Sequence, residues 1–199
     1  MTYPGKRLMD LALAGPALVL SLPIQAVTAL AIRVTMGSPV LFRQQRPGLH
    51  GEPFEMLKFR TMHLPDPARG LVTDAQRMTR TGAFLRSTSL DELPTLWNIV
   101  KGDMSVVGPR PLLMQYLDRY TPEQARRHEV RPGLTGLAQA SGRNALSWED
   151  KFAHDVEYVD SHSVTLDLRI ILRTFIQVLR RDGISAEGEA TMTEFRGTA

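Results

Sequence analysis

A mixed α/β fold, mostly helical with short strands, is what this sequence predicts, with an N-terminal re-entrant membrane helix and amphipathic helices lying at an interface. Three observations predict it. A nearly all-apolar stretch stands apart near the N-terminus. A polar turn then separates two short β-patterned runs, and the rest of the chain carries helix start and stop signals at close intervals. With 199 residues, one domain with an appendage is expected, long enough to bury a core.

The apolar stretch runs from Leu8 to Ile32, with Asp10, Gln25 and Thr28 as exceptions. About 25 residues at about 1.5 Å each reach across a bilayer core of roughly 30 Å, and this is too long for the core of a signal peptide. Two prolines, in Gly15-Pro16 and Ser21-Leu22-Pro23, each delete a backbone hydrogen bond and bend the helix. Lys6 and Arg7 precede the stretch and Arg33 follows it, so the positive-inside bias favours both ends on the cytoplasmic side. A helix-break-helix over 1–35, entering and leaving one membrane face, satisfies both facts. A kinked single span fits the same residues about as well, and a buried soluble helix is third. Residues 36–199 then form a cytoplasmic domain at the membrane interface.

Val40-Leu41-Phe42 and Phe54 to Arg60 read as strands around the turn Arg46 to Gly51. Asp74 to Leu85 is predicted helical. A helix follows Asp91, because Pro94 is tolerated only within a first turn. Met104 to Val107 is a candidate strand. Thr121-Pro122-Glu123-Gln124 combines a threonine cap, a proline at the first helical position and a capping-box glutamine. Ser147 starts another helix. The last, about Leu166 to Arg181, puts Leu168, Ile171, Leu172, Phe175, Ile176 and Leu179 on one face. Arg169, Arg173, Arg180 and Arg181 lie on its polar side, and Gly183 stops it. Such a basic amphipathic helix suits an anionic membrane surface.

Cysteine is absent, which excludes disulfides, thiolate catalysis and zinc-thiolate sites. The chain is mildly basic, with formal net charge +3. Lys6, Lys58, Lys101 and Lys151 are its lysines, and arginine supplies the other cations, a bias that suits bidentate phosphate contacts. No long basic run points to nucleic acid. There is no Walker motif and no dinucleotide fingerprint, and the histidines show no metal spacing.

The adjacent carboxylates Asp91 and Glu92 need a reason to sit together, because like charges repel and raise one pKa. Ser89 and Glu92 fit a capping box, and Asp91 is itself a good cap. Capping leaves room for chemistry, since a helix N-terminus also attracts anionic phosphate. Arg110 is held between Pro109 and Pro111, which fixes its direction in advance. Lys58 and Arg60 alternate about Phe59 and so share a strand face. Arg143 sits in the turn 141–144. Lys58, Arg60, Arg110 and Arg143 together match a diphosphate, with a divalent cation on Asp91 and Glu92.

These motifs carry a resemblance. Arg46-Pro47-Gly48, Lys58 to Met62, Ser89 to Pro94, Lys101 to Ser105, Val107 to Leu112, Val130 to Gly133, Gly142 to Ala145 and Glu187-Gly188 occur in order, nearly end to end. In them the chain resembles the small monotopic phosphoglycosyl transferases of bacteria, the PglC-like family. The resemblance implies transfer of a phosphosugar from a UDP-sugar to undecaprenyl phosphate with release of UMP, the first membrane step of glycoconjugate or polysaccharide biosynthesis. It implies Asp91 as nucleophile, forming an aspartyl-phosphosugar, and Glu92 as its partner, either metal ligand or base. It also implies Mg²⁺ as cofactor and the cytoplasmic face of the bacterial inner membrane as location. Glycosyltransferases of the same pathway are its expected partners. UDP-N,N′-diacetylbacillosamine is the donor to which the overall similarity leans. Members usually carry serine directly before the helix-breaking proline; here Leu22 precedes Pro23, and Ser21, one residue earlier, is the candidate to bond a freed carbonyl. A metal-dependent pyrophosphatase or phosphodiesterase acting on nucleotide sugars, or a non-catalytic scaffold of a glycan assembly complex, are the alternatives from other classes.

Overall fold

The turn between the two β-patterned runs closes an antiparallel hairpin. β1 (Leu41–Pro47) pairs with β2 (Pro53–Phe59) from Leu41 opposite Phe59 to Pro47 opposite Pro53. The turn is therefore residues 48–52, and Arg46, expected within it, is the penultimate residue of a strand. The computed structural model describes residues 2–142, 146–180 and 194–197. Its helices are α1 (Lys6–Met36), α2 (Asp74–Arg77), α3 (Arg80–Ser87), α4 (Thr95–Lys101), α5 (Pro122–Ala125), α6 (Leu137–Ser141), α7 (Trp148–Ser161) and α8 (Val164–Arg180).

The hairpin serves two apolar clusters. Phe54 and Met56 pack with Ala14 of α1, with Leu96 and Ile99 of α4, and with Met104. Phe59 packs with Ile32, at the other end of α1, and with Leu85 of α3. A third cluster joins Val107, Leu137, Tyr158, Val159 and Ile170. It forms around a parallel pair, β3 (Ser105–Val107), inside the expected Met104–Val107 strand, beside β4 (Gly133–Thr135), a strand the sequence does not signal. These strands touch main chain to main chain. A Cβ on Gly133 would lie 2.1 Å from the Gly108 nitrogen, so only glycine fits there. Gly108 N–H donates to Thr135 O at 2.9 Å and Gly133 N–H to Pro109 O at 2.9 Å. The Gly108-Pro109-Arg110-Pro111 turn is thereby stitched to β4.

Several predicted helices change length. Asp74 to Leu85 is two helices, because Met78 leaves the helical path to bridge Met62; Thr73 and Thr79 cap the two pieces. The Thr121–Gln124 capping box forms with both reciprocal bonds, yet α5 ends at Ala125 and passes into a 3-10 turn over Arg126–Glu129. Ser147 caps α7 as its sequence signals.

α1 is one uninterrupted helix of 31 residues with Pro16 and Pro23 inside it. Its polarity is inverted. The buried positions include Lys6, Asp10, Ser21 and Thr28, while Val19, Leu20, Leu22, Ile24 and Val27 are exposed. Ser21 Oγ donates to Leu18 O at 2.9 Å rather than to Val19 O, the carbonyl whose usual donor Pro23 removes; Gln25 Nε2 donates to Ser21 Oγ at 2.9 Å. Of the cations named at the ends of α1, Lys6 and Arg7 are used inside the body and Arg33 is exposed. Lys6 pairs with Asp167 at 2.5 Å, Arg7 donates to Ile99 O and Val100 O at the end of α4, and Arg60 donates to Met36 O and Gly37 O. α8 buries Asp167 and Ile170 and leaves Leu168, Leu172, Phe175 and Ile176 exposed, so its apolar stripe is not the core. The side chains of Leu179 and Arg180, and the residues Arg181, Gly183 and Glu187-Gly188, lie outside what is described.

Candidate active site

Asp91 and Glu92 stand on a single 3-10 turn, Leu90–Glu92, ahead of α4. The expected capping box does not form. Ser89 adopts a left-handed conformation, φ 56°, and its side chain makes no cap bond. The reason is competition for Glu92. Its Oε1 takes the Lys58 ammonium at 2.5 Å and the Arg110 guanidinium at 2.9 Å, charge-assisted bonds that outweigh a neutral backbone cap.

The two carboxylates are thus unequal. Asp91 is buried, 9 % exposed, and accepts no hydrogen bond among the described residues. Burial, and then the charge of Glu92, push its pKa up to about 6, with Lys58, Arg86 and Arg110 opposing. For Glu92, burial acts upward but Lys58 and Arg110 outdo it, and the carboxyl is held well below the usual range. Burial draws Lys58 down, against the pull of Glu92, whereas Glu92 holds Arg110 up. Paired carboxylates whose pKa values are driven apart by their surroundings divide into a reactive group and a fixed charge.

Lys58 reaches Glu92 from β2. Arg110 reaches it from the stitched turn, backed by Arg127, whose Nη2 donates to Arg110 O at 2.7 Å. Lys58, Glu92 and Arg110 line a cleft, and Asp91 adjoins it in sequence through Glu92. Arg60 does not join them. β2 ends at Phe59, and the Arg60 side chain turns back to donate to two carbonyls at the C-terminus of α1, which need donors once the helix stops. Arg143 lies outside the described residues. Asp155 is a buried ion-pair partner of Arg127 at 2.7 Å. Arg46 lines the cleft, and the sequence reading missed it. The hairpin register carried the signal: Arg46 opposite Phe54 and Gln44 opposite Met56 place Arg46 on the strand face that also bears Lys58.

No group of three or more His, Asp or Glu able to hold a metal occurs among the described residues. Asp91, which accepts no hydrogen bond among the described residues, and Glu92, whose bonds among them fall on Oε1, are a two-carboxylate donor set. That suits Mg²⁺, which keeps several waters and is completed by substrate phosphates, better than it suits a fully caged metal.

The description "bacterial sugar transferase" matches residues 1–181 of the chain. The chain belongs to that family. The transferase is 52% identical over 194 residues to the uncharacterized sugar transferase EpsL of Bacillus subtilis, covering 97% of this chain and 96% of that one. It is 43% identical over 189 residues to a UDP-glucose:undecaprenyl-phosphate glucose-1-phosphate transferase of Caulobacter vibrioides, covering 89% and 70%. It is 37% identical over 197 residues to the undecaprenyl-phosphate galactose phosphotransferase of Salmonella typhimurium, covering 89% of the chain but 41% of that longer protein.

Proposed function

We propose that the transferase moves a phosphosugar from a UDP-sugar to undecaprenyl phosphate, releasing UMP, with Asp91 as nucleophile. The observation that carries this is the split pair: Asp91 buried, raised in pKa and accepting no hydrogen bond among the described residues, beside a Glu92 already occupied by two cations. The Asp91 oxygen bonds the phosphorus attached to the sugar as the bond from that phosphorus to the bridging oxygen breaks, and UMP leaves with the electron pair. A phosphate oxygen of undecaprenyl phosphate then attacks the same phosphorus and frees the Asp91 carboxylate. Glu92, low in pKa and doubly bonded, serves as the anchor that aims Lys58 and Arg110 at phosphoryl oxygens rather than as a base. Asp91 and Glu92 would hold Mg²⁺, which when bound neutralises the diphosphate and favours departure of UMP. Arg143 joins the phosphate contacts in this reading.

We further propose that α1 is re-entrant and that the body, 36–199, sits on the cytoplasmic face of the inner membrane. What supports this is that both ends of α1 bond to the same body, through Lys6 and Arg7 at one end and Arg60 at the other. A spanning helix would carry its ends to opposite sides. The exposed apolar segment between them and the uncovered stripe of α8 supply surface for lipid. Single cysteines near Thr2 and near Ser38, in a chain free of other cysteine, should label from the same side; labelling from opposite sides removes the re-entrant reading.

The reaction is tested by UMP release from a panel of UDP-glucose, UDP-galactose and UDP-N,N′-diacetylbacillosamine with undecaprenyl phosphate and Mg²⁺. Omitting the lipid should stop release after one turnover, and Asp91→Asn should lose about a thousandfold or more. Sustained release without lipid would mean hydrolysis and end the transferase reading. The product, a lipid-linked diphosphosugar, is the kind of acceptor that glycosyltransferases of one pathway extend.

A further inference from the structure

Among the described residues, Arg46 is the cation lining the cleft that has no acidic partner. Lys58 and Arg110 both rest on Glu92. Arg46 instead donates to the neutral Gln44 Oε1 at 2.5 Å and, at the long distance of 3.4 Å, to Pro111 O. Its Nε is buried and bonds nothing among the described residues. No carboxylate lies within ion-pair distance of it among the described residues. Burial, and then the charge of Arg110, lower its pKa to about 10. Two neighbouring guanidinium groups raise each other's energy unless an anion comes between them, and an unused buried N–H costs its desolvation. The side chain has a rigid base, since Arg46 is fixed in register opposite Phe54 and followed by Pro47. Through Pro111 it also touches the turn that presents Arg110.

We propose that Arg46 is a phosphate-binding residue of this cleft, closing on one phosphate group together with Arg110 across the 109–111 turn. The inference rests on the transferase reading for the identity of the phosphate, which is either the diphosphate of the nucleotide donor or the phosphate of the lipid acceptor. A planar, always-charged fork with a free Nε and a weakly held Nη1 is suited to two oxygens of one phosphate, which a lysine cannot match.

The test uses the full chain in detergent or nanodiscs. Pyrophosphate binding, followed by calorimetry, should weaken about tenfold or more in Arg46→Gln, and Arg46→Lys should recover only part of the loss. Thermal unfolding without ligand reports whether either variant has lost its fold; if Arg46→Gln has, the Arg46→Lys comparison decides. In turnover, a raised KM for the UDP-sugar alone assigns the donor phosphate, and a raised KM for undecaprenyl phosphate alone assigns the acceptor. Unchanged pyrophosphate affinity together with unchanged KM for both substrates overturns the proposal and leaves Arg46 as a strut for the turn. A wild-type chain that binds pyrophosphate but releases no UMP would count against the transferase reading while the binding comparison still judged Arg46.

Discussion

Two arginines meet at the same turn and are used in opposite ways. Arg127 is 2 % exposed, and its donors are well occupied: Nε and Nη2 on Asp155, Nη1 on Tyr120, Nη2 also on the Arg110 carbonyl. Its guanidinium lies 5.6 Å from the ring centres of both Tyr120 and Phe152. Arg110 has a single carboxylate bond, to Glu92, and its side chain is 46% exposed. A saturated, enclosed arginine holds a shape, and an unsaturated one at a cleft wall is held ready for a ligand. The first kind supports the second through the backbone of residue 110.

That contrast fixes the expected sizes of effect. Breaking the saturated pair should cost most: Asp155→Ala leaves a buried guanidinium uncompensated and should lose about 3–5 kcal/mol of stability, read from urea unfolding. Activity should fall with the fold. Arg110→Gln should do the reverse, lowering kcat/KM about a hundredfold, about 2.7 kcal/mol at the transition state, with the urea midpoint unchanged. Similar stability losses in both variants would erase the distinction.

The pH profile comes next. With Asp91 raised to about 6, kcat/KM should fall about tenfold per unit below that value as the carboxylate protonates. The sign for stability is opposite. Because the folded-state pKa lies above the unfolded one, the ionised Asp91 destabilises the fold at pH 8, and the penalty fades as pH drops through 6. Asp91→Asn should therefore melt higher than wild type at pH 8, with the gap closing toward pH 5. An equal gap at both values would show that Asp91 is not strained by its charge. Smallest of all is a third ion pair, Arg43–Glu55, with side chains 61% and 51% exposed. Arg43→Gln should shift stability by less than about 0.5 kcal/mol and leave turnover unchanged.

What the sequence made legible was local. The hairpin and the Thr121 and Ser147 caps follow from neighbours within a few residues. What escaped it was set by partners far along the chain. Glu92 leaves its cap for Lys58, a residue 34 positions away, and Arg110, 18 positions away. Arg60 is taken by the end of α1. Met78 breaks a helix to reach Met62. β3 falls inside the Met104–Val107 run that reads as a strand, but the three residues of β4 are too short a pattern to declare themselves, and it is the glycine contact between residues 108 and 133 that pairs the two. At the site itself, residue type and motif single out Asp91, Glu92, Lys58 and Arg110, and the structure brings Lys58 and Arg110 onto Glu92. Their unequal charge states were not legible, because desolvation depends on what surrounds them.

The fastening of α1 at both ends has a mechanical corollary. On the re-entrant reading, a rod clamped at each tip cannot be pushed through a bilayer tip first; it settles in sideways. The area it occupies is then taken from one leaflet and not from the other. Each molecule acts as a shallow wedge, and a dense coat of them on one side of a flat vesicle should bend it toward the uncoated side.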